Sequence, residues 1–284
     1  METENEPATS IIISTSEVTE NEIRDYITNL KKKMEMRLNL RQANLSVDRP
    51  DESMLRKLDS NLKKNTAFVK KVKLFTDSQK VAILKEFQSL NLSKYVGELA
   101  SSISEAKLKI SDVPAIVELC SLIHQRYADF ANNLLESYFK KVFPKRKDDV
   151  ITNLSKFRVD IRLLADLIIA GIFSEKDALN VLGAALNFLV QCDKEEHQFL
   201  PIIISFCKFC GEDFGNFVPR RYKLAAIKFG LELPQIICFI GTDRQNIIVN
   251  LFKDYAAKLN EDLLKHFMLC TGDSKYQSLG DITP

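Results

Sequence analysis

The chain has 284 residues, 45% hydrophobic and 27% charged, with a formal net charge of +2. That allows a sizeable core, while near-neutrality gives no whole-molecule field that predicts nucleic acid, and 9 Gly with 8 Pro are few for a turn-rich all-β fold. Six Cys and an opening with no secretory pattern point to a reducing compartment, cytoplasmic or perinuclear, and no segment approaches the ~20 apolar residues of a membrane span.

Residues 1–20 carry five Glu and no Lys or Arg, and read as a disordered, solvated acidic tail. A long N-terminal helix is expected over 21–50. Ile23, Tyr26, Ile27, Leu30 and Met34 form its apolar side, with Lys31, Lys32, Lys33 and Arg37 opposite. Pro50 forces its predecessor out of helical geometry and ends it. Helices over roughly 52–73 and 77–90 follow. Ser111 or Asp112 can cap the next helix, with Pro114 in its first turn. Its stripe is Ile116, Cys120, Ile123 and Tyr127. A helix from Phe130 to Phe143 stops at Pro144.

Beyond a basic loop, Ile161, Leu164, Ala165, Ile168, Ile169 and Ile172 form another stripe. Ser174 to Asp177 opens the following helix as a capping box. Helices over 198–210 and 218–230, then one long helix or a pair over 243–269, complete the pattern, and 271–284 reads as a disordered tail. Helix pairs recurring near 40 residues, without strand alternation, predict an all-α fold. The expectation is an α-solenoid of HEAT-like antiparallel helix pairs over 51–270.

Catalytic patterns are missing. The sequence contains no G-x-x-x-x-G-K loop, no H-E-x-x-H and no G-x-S-x-G. His124, His197 and His266 fall on different helices. Cys207 and Cys210, with Cys192 and His197 upstream, offer four ligand types that zinc accepts. Their setting beside Ile203, Ile204 and Phe206 instead reads as core. No cofactor, metal or small-molecule substrate is expected.

Three basic clusters remain. Lys63, Lys64, Lys70, Lys71 and Lys73 lie on one helix. Lys140, Lys141, Lys145, Arg146 and Lys147 bracket Pro144, and Arg220 and Arg221 begin another helix. On one edge of a solenoid they could bind a protein partner or the phosphates of RNA; as solvated helix faces they would bind neither. His124, Arg126 and Asp129 read as structural polar residues in an apolar setting.

From Arg56 through Leu58, Asn61, Thr66 and Phe68 to Lys71 the sequence resembles the first HEAT-like domain of the up-frameshift factors of nonsense-mediated mRNA decay. Leu90–Tyr95, Glu105–Val113, Leu119–Leu122, His124–Phe130, Gly171–Phe173 and Ile204–Cys207 extend the resemblance across 37–232. It implies the HEAT-like domain type named for the middle portion of translation initiation factor 4G. It also implies scaffolding between the surveillance helicase and the factor that marks exon junctions. The partners expected are therefore proteins of the mRNA surveillance complex, and RNA. That family carries three such domains in tandem and an acidic helicase-binding tail. Its best-understood contacts belong to the later domains and do not carry over to these positions. Two other readings stay open: an RNA-binding module, and a translation-initiation adaptor that docks an RNA helicase.

Overall fold

The computed structural model describes residues 18–146, 148–173, 175–193 and 197–271, with Glu175 and residues 265–271 described by backbone alone. Most of both expected tails, Lys147, the Ser174 cap and the His266 side chain therefore fall outside the described residues. In chain order the helices are α1 Glu20–Leu45, α2 Glu52–Arg56, α3 Leu62–Lys73, α4 Lys80–Ser89, α5 Val96–Glu105, α6 Val113–Arg126 and α7 Phe130–Leu134. They continue with α8 Lys140–Val142, α9 Leu154–Ile169, α10 Glu175–Cys192, α11 Leu200–Gly215, α12 Arg220–Lys228 and α13 Thr242–Thr271. Among the described residues no strand forms. Extended pairing among those residues is confined to a single bridge between Asp59 and Leu90.

The chain divides into two compact units. One comprises residues up to Lys33 with Val218–Gln235, and the other Met34–Phe217 with Ile236 onward, so α1 contributes to both. In the smaller unit Ile23 packs with Ala225 and Ala226. Tyr26 stacks on Tyr222 with ring centroids 4.0 Å apart.

In the larger unit the helices stack in two rows. The row α3, α5, α7 packs in order, and so does the row α4, α6, α9, α11, α13. Successive helices α3 and α4, and α9 and α10, close the pairs. This is the all-α solenoid of helix pairs that the periodicity predicts.

The central helix is α9, in which Val159 to Ile169 are buried without interruption. A helix apolar all round is a core helix, yet α9 also buries Asp160, Arg162 and Asp166. Each is paired. Asp160 accepts from Tyr138 Oη at 2.7 Å and Lys156 Nζ at 3.0 Å. Arg162 donates to the Ile110 carbonyl at 2.6 Å, and its guanidinium lies 4.0 Å from the centre of the Phe209 ring. Asp166 accepts from Arg37 Nη2 at 3.0 Å, and Asp213 also accepts from Arg37.

Several local expectations change. Arg37 is not on a solvated face of α1: it is drawn between two carboxylates of the larger unit. The helix expected over 21–50 ends at Leu45, ahead of Pro50. The segment 52–73 is two helices, because Asn61 turns to cap α3, its side chain accepting from Lys64 N at 3.2 Å. Asp59 meanwhile pairs its backbone with Ser89 and Asn91. A 3-10 turn, Asp77–Gln79, precedes α4. Asp112 is buried and accepts from the Lys109 and Asp77 amides rather than capping α6. Pro114 does occupy the first turn of α6. The stretch expected as one helix from Phe130 to Phe143 carries a π-turn, Leu135–Phe139, between α7 and α8. Its extra residue lets Tyr138 reach Asp160 while Phe139 packs against Phe143 and Phe173.

Ile168 is 1% exposed, so Ile168→Asp places a carboxylate in the core and should abolish soluble folded protein. A soluble variant with a normal melting curve would contradict this packing. Arg37→Ala removes the ion pairs to Asp166 and Asp213 and should cost about 3 kcal/mol in urea unfolding.

Candidate interaction surface

On α3, Asn65, Phe68 and Val72 are buried. At about 100° per residue, Lys63 and Lys70 lie within roughly 20° of each other on the opposite edge, Lys64 and Lys71 on one flank and Lys73 on the other. The flanks are engaged. Lys64 pairs with Asp59 at 2.6 Å, Lys71 with Glu86 on α4 at 2.8 Å, and Lys73 with Glu105 on α5 at 2.5 Å. The hydrogen bond from Lys64 holds Asp59 below the usual carboxylate range, and the same contact raises Lys64. Among the described residues no carboxylate lies within ion-pair distance of the exposed Lys63 and Lys70. The five lysines of the first cluster thus reduce to two outward cations. Lys70 and Lys73 also rim a groove of about 670 Å³ floored by Gly97, Ser101 and Ser102.

The second cluster is organised by an acid. Asp149 accepts from the Lys145 and Arg146 amides at 2.7 and 3.0 Å. These bonds hold its carboxyl below the usual range. The amide pair that could have received an external anion is occupied from within. Lys140 pairs with Glu136 at 2.5 Å. Lys141 lines a separate cavity of about 390 Å³ that ends on Lys156 and Asp160. Burial pushes Asp160 and Tyr138 up, and Lys156 between them, 2.5 Å from Tyr138 Oη, counters this at Asp160. Arg220 and Arg221 belong to the smaller unit, where the Arg221 guanidinium lies 4.7 Å from the Tyr222 ring centre. The first two clusters line different cavities of the larger unit, and the third stands on the other unit.

Of the remaining residues singled out by sequence, Arg126 and His124 serve packing, whereas Asp129 does not occupy the apolar setting expected of it. Arg126 donates to the Phe87 and Leu90 carbonyls at the end of α4, and its guanidinium lies 4.1 Å from the Phe87 ring centre. Asp129 is exposed and contributes its carbonyl to Asn133 N. His124 is buried. That burial, with Arg49 nearby, lowers its pKa below the ordinary 6.5. Burial raises the Cys207 thiol to about 11, and Cys210 is fully buried on α11. Among the described residues no three His, Cys, Asp or Glu converge as a metal site, and no helix is long and apolar enough to cross a membrane.

Sequence reading missed the polar stripe Arg37, Arg41 and Asn44 on α1. Arg41 Nη1 donates to the Ile168 and Ile169 carbonyls at 3.0 and 3.1 Å, and Asn44 Nδ2 to Ala170 at 2.8 Å. The available signal was a 4–3 polar spacing on a helix whose partner sits more than 120 residues away.

Stacked helix pairs define a helical-repeat domain by fold. The MIF4G domain model matches residues 62–270, and the chain belongs to that family. It is 45% identical over 230 residues to human "Regulator of nonsense transcripts 2", covering 80% of this chain and 18% of that protein. It is 38% identical over 189 residues to the Arabidopsis thaliana "Regulator of nonsense transcripts UPF2", covering 64% of this chain and 16% of that protein. The chain spans less than a fifth of the length of these relatives. Among solved structures, the first MIF4G domain of human nonsense mediated decay factor UPF2 superposes with a TM-score of 0.84 at 41% identity, over 89% of this chain and 82% of that one.

Two outcomes test the surface. Lys63→Glu with Lys70→Glu should move the melting temperature by less than about 2 °C, since neither lysine has an internal partner. Adding Lys71→Glu, which faces Glu86, should lower it by about 2 °C more. For His124 the folded pKa lies below the unfolded one, so its contribution to stability is present above pH 6.5 and lost as pH falls through and below that value. Denaturant titrations from neutral to mildly acidic pH should show a downward slope that His124→Gln reduces.

Proposed function

We propose that the chain is a non-enzymatic scaffold domain of nonsense-mediated mRNA decay that holds protein partners of the surveillance machinery. The observation that carries the reading is the outward edge of α3. Lys63 and Lys70 lie in line there, about two turns apart, while their neighbours are engaged in internal ion pairs. Two unengaged cations on a stacked-helix framework suit an acidic patch of a protein better than a nucleic-acid backbone, which needs a continuous cationic track. The relatives named as regulators of nonsense transcripts supply the pathway. Partners contacted through other parts of those longer proteins, such as the helicase or exon-junction-linked factors, belong to this proposal only as members of the same assembly. The thiols are consistent with a reducing cytoplasmic setting.

Affinity capture of the tagged full chain from cell extract, with and without RNase, tests this. Decay factors should be retained after RNase and lost with Lys63→Glu and Lys70→Glu at unchanged melting temperature. Capture that disappears with RNase would replace the scaffold with an RNA-binding module.

A further inference from the structure

In the smaller unit α12 is packed on one side and bare on the other. Ala225, Ala226 and Tyr222 face the first turns of α1. At about 100° per residue, Arg220, Leu224 and Ile227 fall within roughly 60° of one another on the opposite side. Leu224 is 54% exposed and Ile227 78%. Single exposed aliphatic side chains are ordinary surface. Here two stand at i and i+3 on a nine-residue helix with Arg220, Arg221, Lys223 and Lys228 and no acidic residue. Cations around an aliphatic pair suit an acidic segment that carries adjacent aliphatic residues. A phosphate backbone would use the charges and leave Leu224 and Ile227 in water.

We propose that this face is the docking site of residues 1–17 of the same chain. That segment has Glu2, Glu4, Glu6 and Glu17, no Lys or Arg, and the triplet Ile11, Ile12 and Ile13. These carboxylates complement the cations beside the bare side of α12, Arg220 and Lys223. The segment joins the fold at Val18, which packs against the cluster of Ile23, Ala225 and Ala226. Ile13 lies five residues before Val18, and five extended residues reach about 17 Å. The whole of α12 is about 14 Å long. Half the circumference of a helix about 10–12 Å across is roughly 16–19 Å, and the seven residues from Val18 back to Ile11 extend about 24 Å, so the triplet can pass around α12 to Leu224 and Ile227. High salt weakens this docking. This inference is independent of the α3 surface.

Carbodiimide coupling of the intact chain, followed by peptide mass spectrometry, reads the contact directly, because it joins a carboxylate to a lysine amine beside it. Mixing ordinary and 15N-labelled chains separates links within a chain from links between chains. Links within one chain from residues 1–17 to Lys223 should exceed those to the exposed control Lys63. They should fall to the Lys63 level at high salt and in Leu224→Asp with Ile227→Asp, with circular dichroism verifying folding. A second variant, with Ile11, Ile12 and Ile13 all changed to Ser and its folding verified in the same way, should give the same loss. Equal linking to Lys223 and Lys63, links only between chains, or links that survive either variant would overturn the proposal.

Discussion

A helix that ends inside a protein leaves its last carbonyls without partners. At the end of α9 the Ile168 carbonyl accepts from Gly171 N as well as from Arg41, while those of Ile169 and Ala170 find their donors on α1, in Arg41 and Asn44. Unpaired, they would each cost on the order of 1–3 kcal/mol. Gly171 makes the approach feasible: its φ is +74°, and a Cβ there would meet Arg41 Cγ at 3.2 Å. Since α6, α10 and α11 all pack on α9, its termination governs the position of the middle of the larger unit. One turn earlier on α1, Arg37 neutralises Asp166 and Asp213 and ties α11 to the same place. Asn44 also accepts from Ser121 and Gln125, which brings α6 into the clamp.

The same economy of charge shapes the surface. With 40 basic and 38 acidic residues, most clustered cations can find a carboxylate, and the fold brings the carboxylates to them. Asp59, Glu86 and Glu105 flank α3, and Asp149 closes the loop after Pro144. Exposed pairs of this kind add little stability. Their functional consequence is subtraction: they remove cations from the surface a partner sees and leave a narrow edge at Lys63 and Lys70. A charge run read along the chain overstates the charge that the folded molecule presents.

Aromatic packing explains why the second cluster occurs where the helix is irregular. The π-turn at Leu135–Phe139 buries Leu135, Tyr138 and Phe139. A regular helix would rotate one of them toward solvent. The rotation also aims Tyr138 at Asp160, so the polar trio with Lys156 and the ring contacts around Phe143 and Phe157 form together.

What the sequence by itself determined is local. Apolar residues three and four apart specified helices, and Pro114 marked a first turn. The scarcity of Gly and Pro specified long elements joined by short connections. The resemblance carried on Arg56–Lys71 and His124–Phe130 identified the kind of helix stack. What only the tertiary structure decided is pairing across distance. Arg37 faces inward because Asp166 and Asp213 await it, 129 and 176 residues along the chain. The helix expected over 52–73 breaks because Asp59 bridges to Leu90, and Lys71 is spent because Glu86 stands across from it. Periodicity records which side of a helix is apolar, since that depends only on neighbours along the chain. It carries no record of which helix will lie opposite, and the partners of a buried charge or an exposed lysine are settled there.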